Sequence, residues 1–347
     1  MAYSTISKPS LHFNTHLYTG DGQNSRAVTG VGFQPDFLWL KNRTTAYSNQ
    51  TFDAVRGATA GTLYTDLTNA ADTSYPITSF DSDGFTLRPT SHDSQNANGS
   101  NYVSWNWKAN GAGSSNTDGS ITSTVSANQT AGFSIVKWNG QTGTVGHGLG
   151  VKPSFIVVKC ISIANAWVGV HKSLGANMND NYVILNTSAA AGSTTWGGEP
   201  TSSVFSINAN VAENNNNIAY CFAEKKGFSN FGTYIGNGQT DNSGPFIYTG
   251  FKPGWVMIRR TNTTGDWAIF DNKRNPHNVT NTVMYANYNS EDDTNTNNNE
   301  IDLLSNGFKI REDNNAINAN DATYIYLAFA AEPLVANVGA SIPATAR

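Results

Sequence analysis

Gly32-Phe33-Gln34-Pro35-Asp36-Phe37-Leu38-Trp39-Leu40-Lys41, Gly150-Val151-Lys152-Pro153-Ser154-Phe155-Ile156-Val157-Val158-Lys159 and Gly250-Phe251-Lys252-Pro253-Gly254-Trp255-Val256-Met257-Ile258-Arg259 follow one pattern. Each reads glycine, an apolar residue, a polar residue, proline, a small or polar residue, four apolar residues and a base. An apolar residue stands 17 positions after each proline, at Phe52, Val170 and Phe270, followed by Asp53, His171 and Asp271. Upstream lie Tyr18-Thr19-Gly20, Trp138-Asn139-Gly140 and Tyr234-Ile235-Gly236. Downstream come Gly84-Phe85, Val204-Phe205 and Gly307-Phe308, then aromatic-rich runs ending near Trp107, Phe222 and Phe329. Matches in the same order along the chain predict three copies of one module, at 11–110, 127–227 and 228–334.

Each module reads as all-β. The apolar runs after Pro35, Pro153 and Pro253 have the length of buried strands, and the proline is expected where the strand begins, since it has no N–H for the ladder. The run Tyr324 to Phe329 is apolar or aromatic on both faces, which predicts a central strand. Asp-Gly and Asn-Gly pairs, such as Asp83-Gly84 and Asn306-Gly307, mark tight turns. Short strands, frequent turns and units of about 100 residues predict β-sandwiches of lectin-like or jelly-roll-like form. Around them the sequence predicts an N-terminal arm at 1–10, a flexible Gly/Ser-rich linker at 111–126 and a C-terminal tail at 335–347.

Composition narrows the function classes. The 347 residues carry a net charge of −4, with 13% charged and 11% aromatic residues, and asparagine is about one residue in eight. Disorder would need more charge and fewer aromatics. A nucleic-acid binder would show a basic stripe. No apolar run approaches the ~20 residues of a membrane span, and the start lacks the basic and apolar regions of a secretory signal. Cys160 and Cys221 cannot form a disulfide framework or a zinc site alone, and are expected as free thiols in inner strands.

Among candidate site residues, Asp53 with Arg56 and Asp271 with Arg274 share Phe-Asp-x-x-Arg, while the middle unit has His171 and Leu174 there. A sugar could use such pairs, but recurrence at a module position favours a structural ion pair. The carboxylates Asp81 and Asp83, and Glu291 to Asp293 with Glu300 and Asp302, do not fit the twelve-residue calcium loop, and the histidines lack metal spacing, so no metal and no cofactor are expected. Most tryptophans sit at repeat positions and are expected in cores. Trp196, in the Gly-rich stretch Ser193 to Gly198, is the exception and is expected as an exposed ligand contact. The Asn-rich runs 214–217 and 295–299 read as solvated turn tips.

The opening Ile6-Ser7-Lys8-Pro9-Ser10, then His12-Phe13-Asn14-Thr15 and Leu17-Tyr18-Thr19-Gly20, resembles the start of a group of virion proteins of tailed phages, marine ones especially. Phe52-Asp53-Ala54-Val55-Arg56-Gly57, Trp267-Ala268-Ile269-Phe270-Asp271 and the terminal Pro343-Ala344-Thr345-Ala346-Arg347 are similar to the same group. The resemblance is good in the first and third modules and loose in the second. It implies concanavalin-like β modules and a non-enzymatic structural protein of the bacteriophage virion, in the tail fibre or adsorption apparatus. A capsid decoration or head-fibre protein, and a free lectin or glycan-active enzyme, are the alternative readings. The implied partners are other virion proteins, further copies of the chain and a host surface glycan, with assembly in the bacterial cytoplasm matching unpaired cysteines.

Overall fold

The structure, a computed structural model, describes residues 4–88, 90–193, 196–240, 243–294 and 299–333. Apart from a 3-10 turn at Pro9–Leu11 and a short helix at Asp93–Asn96, its regular elements are strands, paired antiparallel in the named sheets. No helix among the described residues is long and apolar enough to cross a membrane.

Three large sheets share one strand order. In the first, an opening strand (Phe13–Thr19) pairs with a closing strand (Asn101–Trp107). Next come the strand after the proline (Phe37–Asn42), a fourth strand (Gln50–Asp53) and a short edge (Leu63–Tyr64). The third sheet repeats this with Ser229–Ile235, Thr323–Pro333, Phe251–Arg260, Trp267–Asp271 and Met284–Tyr285. The second contains the same succession, Phe133–Asn139, Asn216–Phe222, Phe155–Cys160, Val168–His171 and Asn181–Ile184. Registers coincide too. Phe37 faces Trp107 and Asp53, Phe155 faces Phe222 and His171, and Trp255 faces Phe329 and Asp271.

Every large sheet is buried on both faces. Its outer face packs on a small sheet: Ala27–Thr29, Gly84–Thr86 and Ser79–Asp81 in unit one, Gly143–Gly146 with Val204–Ile207 in unit two, and Phe246–Tyr248, Gly307–Ile310 and Ile301–Leu304 in unit three. Leu38, Leu40 and Phe52 fill this outer core in unit one. The inner faces of all three sheets meet in one common core, which contains Phe37, Trp105, Trp107, Phe133, Tyr220, Phe222, Trp255 and Phe329. Alternation along a strand sends odd and even residues to different cores. That is why these strands read as unbroken apolar runs, and why the closing strands are aromatic on both faces. The turn glycines serve the small sheets: a Cβ on Gly84 would meet the Val28 carbonyl oxygen at 1.9 Å.

Several expectations need correction. The segment 111–126 is not a flexible linker. Ser114–Asn116 pairs with Ser123–Asn128, which extends the second sheet to eight strands. Composition records the small side chains there but not the backbone groups that find a sheet edge. Residues 4–10 are not a free arm, because Ser4 is buried and Ile6 enters the common core. Pro35 and Pro153 precede their strands, but Pro253 lies inside the ten-residue strand Phe251–Arg260. The ladder shifts register on both sides of it, the bulge expected where an N–H is missing. The tail at 335–347 lies outside the described residues, as do 295–298 of the second Asn-rich run. In the first run Asn217 is fully buried, its amide donating to the carbonyls of Gly140, Glu213 and Asn215.

Candidate functional site

The recurring charged residues converge on the seams between units. Asp53 is fully buried and accepts from the Arg56 backbone N–H at 2.8 Å and its Nε at 2.5 Å. The Tyr220 hydroxyl of unit two also donates to Asp53, at 2.9 Å. Asp271 accepts from the Arg274 N–H and Nε at 2.8 and 2.6 Å, and from the Trp105 indole of unit one at 3.2 Å. Burial pulls both guanidinium pKa values down, but their aspartate partners outweigh it and the net direction is up. The ion pairs are therefore structural, and each receives a donor from the neighbouring unit's closing strand.

Registers make Trp105, Tyr220 and Leu327 equivalent, opposite Trp39, Val157 and Met257. Leu327 has no donor to offer, and in unit two the residue at the aspartate position is His171. An aspartate there would be a buried charge without its cross-unit bond, whereas an imidazole can be buried neutral. Burial first, and the Lys172 charge second, hold the His171 pKa down to about 3, outweighing a contact with the Tyr326 backbone of unit three.

Two further ties repeat around the molecule. Asn49, Trp167 and Trp267 each stand 14 residues after a proline. The Asn49 amide donates to the Tyr285 carbonyl at 3.1 Å, the Trp167 indole to Tyr64 at 2.7 Å, and the Trp267 indole to Ile184 at 3.0 Å. The bases ending the quoted motifs, Lys41, Lys159 and Arg259, are buried. Lys41 reaches the Asn289 carbonyl at 3.3 Å, Lys159 the Thr68 carbonyl at 3.0 Å, and Arg259 the Ala189 carbonyl. Burial lowers the two lysine pKa values to about 8 and that of Arg259 to about 10. All these ties run the same way, from unit one to three, three to two and two to one, so the contacts close into a ring.

The sequence marked Asp53, Arg56, Asp271 and Arg274, and the structure brings all four to seams. It did not mark the bases or the Asn49, Trp167 and Trp267 set, although their constant distance from the prolines was the available signal. Trp196 is a correction. It is 1% exposed, in the outer core of unit two with Met178 and Phe205, and its backbone N–H donates to the Asn179 carbonyl. Its ring packs into the core rather than facing solvent, so composition alone misplaced it. Two of the carboxylates weighed for calcium are occupied otherwise: Asp83 accepts from the Gly30 and Gly32 N–H groups, and Asp292 is held by Arg43 and Arg274. Among the described residues no three His, Cys, Asp or Glu side chains are placed to hold a metal. Cys160 and Cys221 are buried and free.

Fold and seams together define an all-β protein of three sandwich-like units closed into a ring, with its recurring ionisable residues committed to closure. The model of a domain of unknown function (DUF7483) matches residues 8–333, and the chain belongs to that family. The family domain thus spans all three units rather than one. No curated protein and no solved structure matches the chain.

Proposed function

We propose that this chain is a non-enzymatic structural protein of a tailed-phage virion, working in the tail or adsorption apparatus by assembly and surface recognition. The observation that carries the non-catalytic part is the fate of the recurring ionisable groups. A catalytic carboxylate needs access to substrate, yet Asp53 and Asp271 are fully buried and each is bonded to its own arginine and to a neighbouring unit. Groups fixed in this way build a rigid body that presents its loops. The virion part rests on the resemblance of the first and third units to phage particle proteins. Partners in this reading are other virion proteins, further copies of the chain and a host glycan.

The test is to locate the chain on purified particles, by mass spectrometry of the banded virions and gold-labelled antibody. Label on tails supports the reading, and label on heads would favour capsid decoration. Absence from particles would overturn it, as would cleavage of a host polysaccharide that one carboxylate substitution abolishes.

A further inference from the structure

We infer that unit three carries a binding site for a neutral saccharide, in the cleft beside Tyr288 where unit three meets unit two. The cleft encloses ≈ 510 Å³ and is lined by Ser188 of unit two and by Arg260, Asp266, Tyr288, Asn314 and Asn315 of unit three. Tyr288 is 44% exposed, one of three described aromatic residues so open, with Phe246 and Tyr248, and packs edge-on against Tyr285 with ring centres 5.6 Å apart. Burial first, and the nearby Asp266 second, hold its pKa above the usual tyrosine value. A half-exposed ring beside a carboxylate and two amides matches a pyranose: the apolar C–H face lies on the ring while hydroxyls donate to the carboxylate and exchange bonds with the amides.

The internal comparison shows that the scaffold does not require these residues. By register, Arg260 corresponds to Asn42 and Cys160, facing Tyr324, Tyr102 and Asn217. Asp266, six residues further on, corresponds to Ser48 and Ala166, and Tyr288, which follows Asn287, corresponds to Leu67 and Thr187, which follow Asp66 and Asn186. What the fold does reuse is the residue between them. Asp66, Asn186 and Asn287 each accept the backbone N–H of Asn49, Trp167 or Trp267. Only Asn287, among these, has an acidic residue at the position matching Asp266, and its amide donates to Asp266 Oδ1 at 2.9 Å. A framework residue therefore holds the carboxylate in place, the preorganisation a recognition site needs.

Charge selects among sugars. Tyr285 and Tyr288 also line an adjoining cleft with Glu291, Asp292 and Asp293. Asp292 is neutralised by Arg43 and Arg274, but Glu291 and Asp293 together with Asp266 outnumber Arg260, the one cation among the described residues lining the cleft, which disfavours uronic and other anionic sugars and leaves neutral ones.

The site rests on the surface-recognition part of the proposed function, but it is tested on isolated protein, so it can fail while virion location stands, or the reverse. Saturation-transfer NMR on the full chain, with cellotriose, maltotriose and chitotriose as neutral probes and trigalacturonate as the anionic one, reads it directly. At least one neutral trisaccharide should receive saturation at its ring C–H protons, and trigalacturonate should not. Tyr288→Ala should weaken binding about fivefold, and Asp266→Asn, which keeps the shape, about tenfold or more. Leu67→Ala, at the matching place in unit one, should leave binding unchanged. No neutral probe bound at millimolar concentration, binding that survives both unit-three substitutions, or preference for trigalacturonate would overturn the inference.

Discussion

Tyr220→Phe removes one hydroxyl from the seam between units one and two and changes nothing else in shape. The lost bond runs from a buried phenol to a buried carboxylate. Water cannot replace it, and hydrogen bonds to charged groups contribute about 1.5–3 kcal/mol. Asp53 keeps both bonds from Arg56, so a loss in the lower half of that range, about 1.5–2 kcal/mol, is expected. Urea unfolding followed by tryptophan fluorescence measures it, as a lower midpoint with an unchanged slope. Asp53→Asn should cost more, about 3–5 kcal/mol, because it leaves the buried Arg56 guanidinium without its counter-charge. In that background Tyr220→Phe should cost much less than alone, giving a coupling of at least about 1 kcal/mol. A single-variant loss below about 0.5 kcal/mol, or strict additivity in the double variant, would refute the argument that cross-unit donors hold the aspartates.

Residues 127–227 expressed alone should not fold cooperatively, because Phe133, Phe155, Tyr220 and Phe222 would lose the common core; a sharp thermal transition by circular dichroism would contradict this. His171, held neutral by burial, ties stability to pH. Between its ordinary pKa of 6.5 and about 3 the unfolded chain takes up a proton that the folded chain refuses. Its contribution is therefore present above pH 6.5 and lost on acidification, by about 1.4 kcal/mol per pH unit, and His171→Gln should flatten that part of the urea-midpoint profile. Cys160 and Cys221 should resist a thiol reagent in the native state and yield two thiols after denaturation without reductant. Trp196→Ala should destabilise by about 3–5 kcal/mol and leave saccharide binding unchanged, since the indole is core.

The all-β class was legible because strand length, turn glycines and alternation are local properties. The common core was not. A strand buried on both faces by two different cores has the same apolar run as one inside a single sandwich, so Phe155 to Val158 could not reveal a second layer of partners. The seams were half legible. Asp53 with Arg56 and Asp271 with Arg274 were visible as pairs three residues apart, but their third partners, Tyr220 and Trp105, are more than a hundred residues away in the chain. The same distance hid the reason for His171: the closing strand of unit three has Leu327, with no donor, where its counterparts have Trp105 and Tyr220. Trp196 failed differently: glycines around an indole mark a loop, but not which side of it the ring occupies.

Closure within one chain changes how the ring depends on its surroundings. Three separate subunits joined by these seams would come apart below their dissociation constant. Here the paired segment at 111–126 and the tight junction at Lys225–Ser229 keep neighbouring units at a fixed effective concentration, whatever the number of molecules in solution. The ring should therefore stay closed at any dilution. Its three corners are also encoded separately, so one can carry Tyr220 on Asp53 while another combines Leu327 in the closing strand with His171 in place of the aspartate, a division of labour that three identical subunits could not encode.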